Sequence, residues 1–371
     1  MPEARTESHS RELSCGHCGS SLELQPGAAL LVCQHCGTET PPAGADGNIE
    51  ELDLGEWLAS LEQGEEAEEV LTATCPGCGA RVERDARLSA DACPFCGTTI
   101  VAEGGSHKRI KPRSLLPFKI DRGTAIESFR RWVSKRWFAP NDFKKRVRLD
   151  TALSGIYIPY WTFDAAVTTH YTGRRGTVRQ IRSNGKTTTR TSWTRVSGTV
   201  HDAFDDLLVP ATRSLPYDHL ENLEPWDLSD LIPFHAQYMS GFRAESYQIG
   251  LEEGFADARE QMDELIRKTI KRDIGGDRQQ IRSMRSDFRN LTFKHILLPV
   301  WISAYRYKNK PFRFLVNART GETQGERPWS RIKIALTAAA AALVAATVLA
   351  WEYAPFLLDV SDIFRSLWGL R

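Results

Sequence analysis

The chain has 371 residues, 48 Lys+Arg against 47 Asp+Glu and a formal net charge of +1, a length that allows two or three units and a sizeable core. The neutral total conceals an acidic front and a basic body: residues 1–106 hold 5 Lys/Arg and 19 Asp/Glu, net −14, and the remainder 43 and 28, net +15. All eight cysteines precede residue 97, which excludes a disulfide framework for the body and points to metal sites in a reducing compartment.

The opening MPEARTESHSREL is polar and lacks the apolar core of a signal peptide. Two cysteine groups follow. Residues 11–40 hold Cys15, Cys18, Cys33 and Cys36, and residues 71–102 hold Cys75, Cys78, Cys93 and Cys96. In each group fourteen residues separate two Cys-x-x-Cys pairs, and every cysteine recurs after sixty residues. Two thiolates on one tight turn hold half of a tetrahedral site, and a second turn, returned by a short hairpin, closes it. Glycine follows each pair, at Gly19, Gly37, Gly79 and Gly97, where the chain must turn sharply. Four sulfurs with no open position predict two zinc ribbons, each with one structural zinc ion, rather than a catalytic or redox centre. His17 and His35 lie inside the first two pairs and read as exposed bystanders. Ribbons this small depend on their metal to fold.

Residues 41–70, PPAGADGNIEELDLGEWLASLEQGEEAEEV, carry ten acids and no base. They read as a flexible acidic linker, or as a docking peptide for a partner. Leu54, Trp57, Leu58 and Leu61 allow one short amphipathic helix within it.

Residues 107–330 read as an α+β body. Ala125, Ile126, Phe129, Trp132, Val133 and Trp137 recur near helical spacing. LSGIYIPYWTFDAAVTTHYTG alternates as a long strand bent at Pro159, and TVRQIR and TTTRTSWTRVSGTV read as further strands. A second helix carries Leu251, Phe255, Ala258, Met262, Leu265 and Ile266, and DIGGD ends it. The strands LTFKHILLPVWISAYRY and KPFRFLVNA follow. Pro159-Tyr160-Trp161 and Pro299-Val300-Trp301 repeat a Pro-x-Trp strand at a distance of 140 residues. The repeat predicts two related antiparallel sheets, or one sheet built from two similar halves.

Gly185-Lys186-Thr187 imitates the end of a nucleotide phosphate loop. That loop needs a further glycine five residues earlier, after an apolar strand and before a helix. Position 180 is Gln, the preceding run is basic, and TTTRTSW is β-prone. No nucleotide site is assigned. Asn184-Gly185 instead signals the tip of a β-hairpin. Its cations, Arg174, Arg175, Arg179, Arg182, Lys186, Arg190 and Arg195, form a candidate anion-contact surface. His170, His201, His219, His235 and His295 are scattered without metal spacing. Asp202, Asp205 and Asp206 beside His201 form a polar cluster without a placed nucleophile, so no catalytic residue is assigned.

Ile334 to Trp351 runs eighteen residues without a charge, nine of them alanine. At the helical rise this spans roughly 27 Å, enough to cross a thin hydrocarbon layer, and residues 332–353 are read as a transmembrane helix. Arg327, Arg331 and Lys333 precede it, whereas Glu352, Asp359 and Asp362 outnumber Arg365 and Arg371 beyond it. The positive-inside rule then puts the N-terminal domains in the cytoplasm. Residues 354–371 read as an amphipathic tail on the outer interface.

The runs LPFKI, WFAP, PYWTFDA, GFRAESYQ, DIGGDRQQI, TFKHILLPVWISAYRY and VNARTGETQGERPWS resemble those of a family of bacterial zinc-ribbon membrane proteins. Members are often labelled primosomal or replication-restart helicase-like, and some belong to phage-shock or membrane-stress gene clusters. The resemblance covers nearly the whole chain and implies a bacterial inner-membrane protein that recruits stress or scaffold proteins. The helicase label rests on the zinc ribbons alone. The expectation is therefore a non-enzymatic, single-pass membrane adaptor, facing lipid and membrane-associated proteins. The alternative is a zinc-ribbon nucleic-acid-binding protein linked to replication or restart, without its own ATPase.

Overall fold

A computed structural model of the chain describes residues 14–27, 30–42, 47–63, 68–83, 90–101, 105–141, 153–183, 186–307 and 310–367. It separates into two compact units, Met1–Phe129 with Leu149–Gly325, and Arg130–Arg148 with Glu326–Arg371. The architecture is mixed α+β, with a sheet-rich body, few helices and one apolar helix near the C-terminus.

In the first unit β1 (Leu22–Leu24), β2 (Leu31–Cys33) and β3 (Glu39–Thr40) form a small antiparallel sheet. β4 (Leu52–Asp53) leads directly into α1 (Leu54–Gln63). β5 (Glu68–Thr74) pairs with both β6 (Arg81–Glu83) and β9 (Gly105–Arg109), while β7 (Ala90–Ala92) and β8 (Thr99–Val101) pair between them. The body follows with β10 (Ser114–Leu115), α2 (Arg122–Ser134), β11 (Ser154–Ser183) and β12 (Lys186–Pro210). α3 (Tyr217–Glu221), β13 (Ile232–Pro233), β14 (Arg243–Ala244) and α4 (Leu251–Ile274) come next. β15 (Arg278–Tyr307), β16 (Lys310–Asn317) and β17 (Thr323–Gly325) complete the unit.

β11, β12 and β15, of 30, 25 and 30 residues, are the frame of the body. A strand of that length extends roughly 100 Å. β11 lies between the other two, antiparallel to both. The stretches TVRQIR and TTTRTSW, read as separate strands in the sequence, are the continuous far ends of β11 and β12. Their ladder closes at Ser183↔Lys186, and the expected tip, Asn184-Gly185, lies outside the described residues.

α4 covers one face of this frame. Leu251, Ala258, Met262, Ile266, Ile270 and Ile274 are buried at helical spacing against Trp161, Phe163, Val167 and Tyr171. The helix approaches closely because residue 254 is glycine: a Cβ there would lie 2.6 Å from Trp161 Cδ1. The sequence stripe included Leu265, which is exposed, and missed Ile270 and Ile274.

The two Pro-x-Trp strands are direct neighbours in one sheet, with Tyr157↔Pro299 and Pro159↔Leu297 in register. Their surroundings correspond by an approximate two-fold exchange. Trp161 Nε1 donates to Ile249 O and Trp301 Nε1 to Ile120 O, each at 2.9 Å. Each acceptor lies two residues before a helix start. Tyr247 packs on Trp161 and Phe118 on Trp301, both with ring centroids 5.2 Å apart. Ala211 N donates to Pro159 O at 2.9 Å and Ala318 N to Pro299 O at 3.1 Å. In both halves the lead-in to a helix is bonded by the tryptophan of the other half.

The acidic segment between the cysteine groups was expected to be a flexible linker, and residues 50–63 depart from that. β4 adds to β15, with Thr292↔Asp53 and Phe293↔Leu52. Leu54 and Trp57 of α1 are buried in the α4-side core, and Trp57 meets Phe293 edge-on at 5.9 Å. Glu51 Oε1 accepts from Lys294 Nζ at 3.0 Å. Lys294 is 5% exposed and also meets Asp206 at 2.6 Å and Asp164 at 3.9 Å. Apolar burial and an ion cluster therefore hold the strap, and acidic composition alone did not reveal them.

In the second unit, α5 (Arg331–Leu367) contains a 21-residue stretch, Arg331–Trp351, long and apolar enough to cross a membrane, with none of its most apolar window buried. The helical backbone continues through the region read as a separate tail. Lys333 is tied down at the helix start: its Nζ donates to Trp137 O and Ala139 O at 2.9 Å and to Asn141 Oδ1 at 2.8 Å. Ser330 N donates to Phe138 O at 2.8 Å, so the WFAP and RPWS runs meet around the entry to the helix.

Candidate metal centres and basic sheet face

Each cysteine group converges on a point. In both, one ligand atom from every cysteine lies within 4.8 Å of the others. Cys15–Cys36 and Cys18–Cys33 sulfurs are 3.6 and 3.4 Å apart; Cys75–Cys96 and Cys78–Cys93 are 3.4 and 3.7 Å apart. A tetrahedron with metal–sulfur bonds of about 2.3 Å has edges of about 3.8 Å, whereas a disulfide needs about 2.05 Å. The donor set therefore fits two metal ions.

The same backbone turn presents all four Cys-x-x-Cys pairs. Cys15 N donates to Ser20 O, Cys33 N to Thr38 O, Cys75 N to Ala80 O and Cys93 N to Thr98 O, at 2.7, 3.0, 2.8 and 2.8 Å. The following glycines have φ between 71° and 76°, the left-handed region that the sequence spacing required of them. The Thr38 hydroxyl and backbone hold the Cys36 thiol down at about 6. Burial opposes the same shift at Cys96, yet Thr98 brings that thiol to about 7. Burial pushes Cys78 up to about 11 and Cys93 further. A metal must displace protons from the raised thiols on binding. His17 and His35 are exposed and stand outside both clusters.

The two centres are embedded differently. Cys75, Cys93 and Phe95 are buried in one core with Ile156, Tyr160 and Leu298 of the long strands. Val82 forms a bridge to Glu245, and Ser246 N donates to Arg81 O at 2.9 Å. Glu245 is wholly buried at this seam; Thr212 Oγ1 donates to it at 2.8 Å and Ser214 Oγ also donates. Among the described residues no cation offsets its burial, which pushes its carboxyl up to about 8. Among the described residues the cysteines of the first centre belong neither to the core around Ile156 and Leu298 nor to the α4-side core. This centre joins the body through Leu24 N to Ser240 O at 3.3 Å, Gly27 N to Phe118 O at 3.0 Å and Ser240 Oγ to Leu22 O.

The face of the long sheet opposite α4 is covered by the second ribbon along Ile156–Tyr160 and opens from Ala166 onward, where the outward row includes exposed Ala166, His170 and Thr172 and half-buried Arg174. This divides the expected anion contacts. Arg174 and Arg195 are directly paired across β11 and β12 on the open face, and alternation puts Arg182 on that side too. Arg175 belongs to the α4 side, where its Nε donates to Ile274 O, and Arg179 and Arg190 pair with each other on that side beyond the end of the helix. Lys186 closes the ladder opposite Ser183.

β15 brings cations that the hairpin reading missed. Arg285 stands opposite His170, and Arg289, opposite Ala166, is paired with Asp287 at 3.1 Å. A register shift between Thr172 and Gly173 turns Arg282 into a groove of about 430 Å³ with Thr172, Arg174, Arg195 and Ser197. Their signal was the spacing of arginines in RQQIRSMRSDFRN, legible only once β15 is known to lie beside β11. The histidines do not converge: His170 Nδ1 meets Thr199 Oγ1 at 2.9 Å and His201 Nδ1 meets Thr168 Oγ1 at 3.2 Å. The aspartates beside His201 also disperse, Asp206 to Lys294 and Asp202 to Thr269 Oγ1 at 2.7 Å.

The chain is 27% identical over 322 residues to the "Uncharacterized protein YdjG" of Bacillus subtilis (strain 168), which covers 86% of this chain and 91% of that protein. No family model matches the chain, and no solved structure matches it.

Proposed function

We propose that the chain is a non-enzymatic, single-pass adaptor of a bacterial inner membrane, holding partner proteins at the cytoplasmic face. The observation that carries this reading is the helix Arg331–Trp351: none of its most apolar window is buried, and exposed Trp329 and Trp351 stand at its two ends. Tryptophans in those places suit the two lipid–water boundaries. Arg327, Arg331 and Lys333 at its start favour a cytoplasmic body, where reduced cysteines hold zinc. The two tetra-cysteine centres act as structural zinc ribbons that stiffen the binding surface. The partners are membrane lipid and membrane-associated stress or scaffold proteins.

The test is to express the chain in bacteria, separate membranes, and identify what crosslinks to it in mild detergent. Membrane retention that resists carbonate washing, with membrane-associated proteins captured, is the expected result. A soluble chain carrying nucleic acid would refute the adaptor. That second reading, nucleic-acid binding without an ATPase, is favoured by the arginine-rich open sheet face. It requires binding that falls steeply with salt and persists without lipid.

A further inference from the structure

On the open face of the long sheet, Arg174 and Arg195 are directly opposite each other in the β11–β12 ladder. Like charges in that relation repel, and a sheet normally avoids them or neutralises them. Neither arginine has an ion-pair partner among the described residues. The register shift in β15 then adds a third cation, Arg282, to the same groove. The remaining lining is Thr172, Gly173, Val196 and Ser197: two hydroxyls, a glycine and one apolar wall, with no carboxylate. Thr172 Oγ1 is held by Ser283 Oγ at 2.7 Å.

Three guanidiniums and a serine hydroxyl around one open groove match a tetrahedral oxyanion, because arginine forks bind phosphate oxygens in pairs. We propose that this groove is a phosphate-binding site occupied by the headgroup of an anionic phospholipid. The phosphate chemistry stands on the groove alone. The lipid source rests on the membrane reading above, since tethering the chain beside a bilayer raises the local concentration of headgroups far above that of a free ligand. The groove would then hold the body against the surface to which the apolar helix confines it.

The experiment uses the full zinc-loaded chain in mild detergent and counts bound lipid by native mass spectrometry. Probes are phosphatidylglycerol, phosphatidylcholine, inorganic phosphate and a short single-stranded DNA. The test variant is Arg174→Gln/Arg195→Gln/Arg282→Gln; the control is Arg179→Gln/Arg190→Gln, which removes two cations from the other face of the same hairpin. Melting temperature and zinc content establish that each variant is folded, and Arg282→Lys in the native background separates loss of charge from loss of the planar fork. The proposal expects phosphatidylglycerol occupancy to drop at least tenfold in the triple variant, with the control unchanged and Arg282→Lys intermediate. Equal loss in both variants would reduce the groove to general surface charge and overturn the site. Arginine-dependent binding of inorganic phosphate or DNA, without competition from phosphatidylglycerol, would overturn the lipid assignment. Membrane fractionation separates the two readings: a soluble chain that still binds phosphate through these arginines removes the adaptor and keeps the site.

Discussion

Glu245 offers a direct measure of how the second metal centre is joined to the body. It is fully buried where Val82 bridges to it, just after β14, and it receives the hydroxyls of Thr212 and Ser214. The Tyr160 hydroxyl, raised chiefly by its own burial, is pushed up slightly further by Glu245. Burial without a cation holds the folded carboxyl at about 8. In the unfolded chain it returns to about 4.3. Between those values the folded state keeps a proton that the unfolded state releases, so stability falls as pH rises. The contribution is complete below pH 4 and is lost by the time pH passes 8. The full span corresponds to ~5 kcal/mol, comparable with the whole stability of an ordinary domain. Glu245→Gln keeps the acceptor oxygen for Thr212 and Ser214 and removes the titration. Urea unfolding of the detergent-solubilised chain, followed by tryptophan fluorescence from pH 5 to 9, should show the variant and the native chain alike at pH 5. By pH 8.5 the variant should be more stable by ~3–5 kcal/mol. Parallel profiles across the range would refute the assignment of a neutral, cation-free carboxyl at this seam.

Three further perturbations probe other links. Cys93→Ser and Cys33→Ser should each lower zinc content from about two ions per chain to about one, measured by mass spectrometry of the metal. Cys93→Ser should expose the body to protease more than Cys33→Ser does, because the second centre shares the core of the long strands. Trp57→Ala removes the buried anchor of the strap; it should cost about 3–5 kcal/mol and make residues around α1 the first site of proteolysis. Lys294→Met leaves the half-buried Asp164 and Asp206 without their cation and should destabilise the chain by ~2–3 kcal/mol, less than for a fully buried pair. Adding Asp206→Asn to Lys294→Met should recover part of that loss in the same urea titration.

What the sequence disclosed was whatever depends on local spacing. Cys-x-x-Cys at a fixed interval dictates both turns of each centre, and Leu54, Trp57 and Leu58 announce α1 whatever lies beneath it. The repeat of Pro-x-Trp was visible because its strands share a rigid local pattern. Its partner pattern, the aromatic-x-Ile of Phe118-Lys119-Ile120 and Tyr247-Gln248-Ile249, was hidden. Each of these runs serves the strand of the opposite half, at a separation that no sequence window spans. The strap was missed for a related reason. Glu51 reads as one acid among ten until Lys294, 243 residues away, gives it a buried counter-ion. The groove required the register of two ladders and one irregularity, and composition records neither.

The unequal seating of the two cysteine centres has a consequence for how the protein matures. The second ribbon leaves the ribosome before any long strand it packs against, and its cysteines later become part of the core around Ile156 and Leu298. Metal captured early is therefore walled in by the rest of the chain. A chain made without that metal would keep the α4 side of the sheet closed but leave the core around Ile156 and Leu298 open. Among the described residues the first ribbon joins the body through hydrogen bonds of Leu22, Leu24 and Gly27, so loss of its ion would leave the core around Ile156 and Leu298 in place. The core would then depend on metal supplied while the chain is being made, through the second centre, more than through the first.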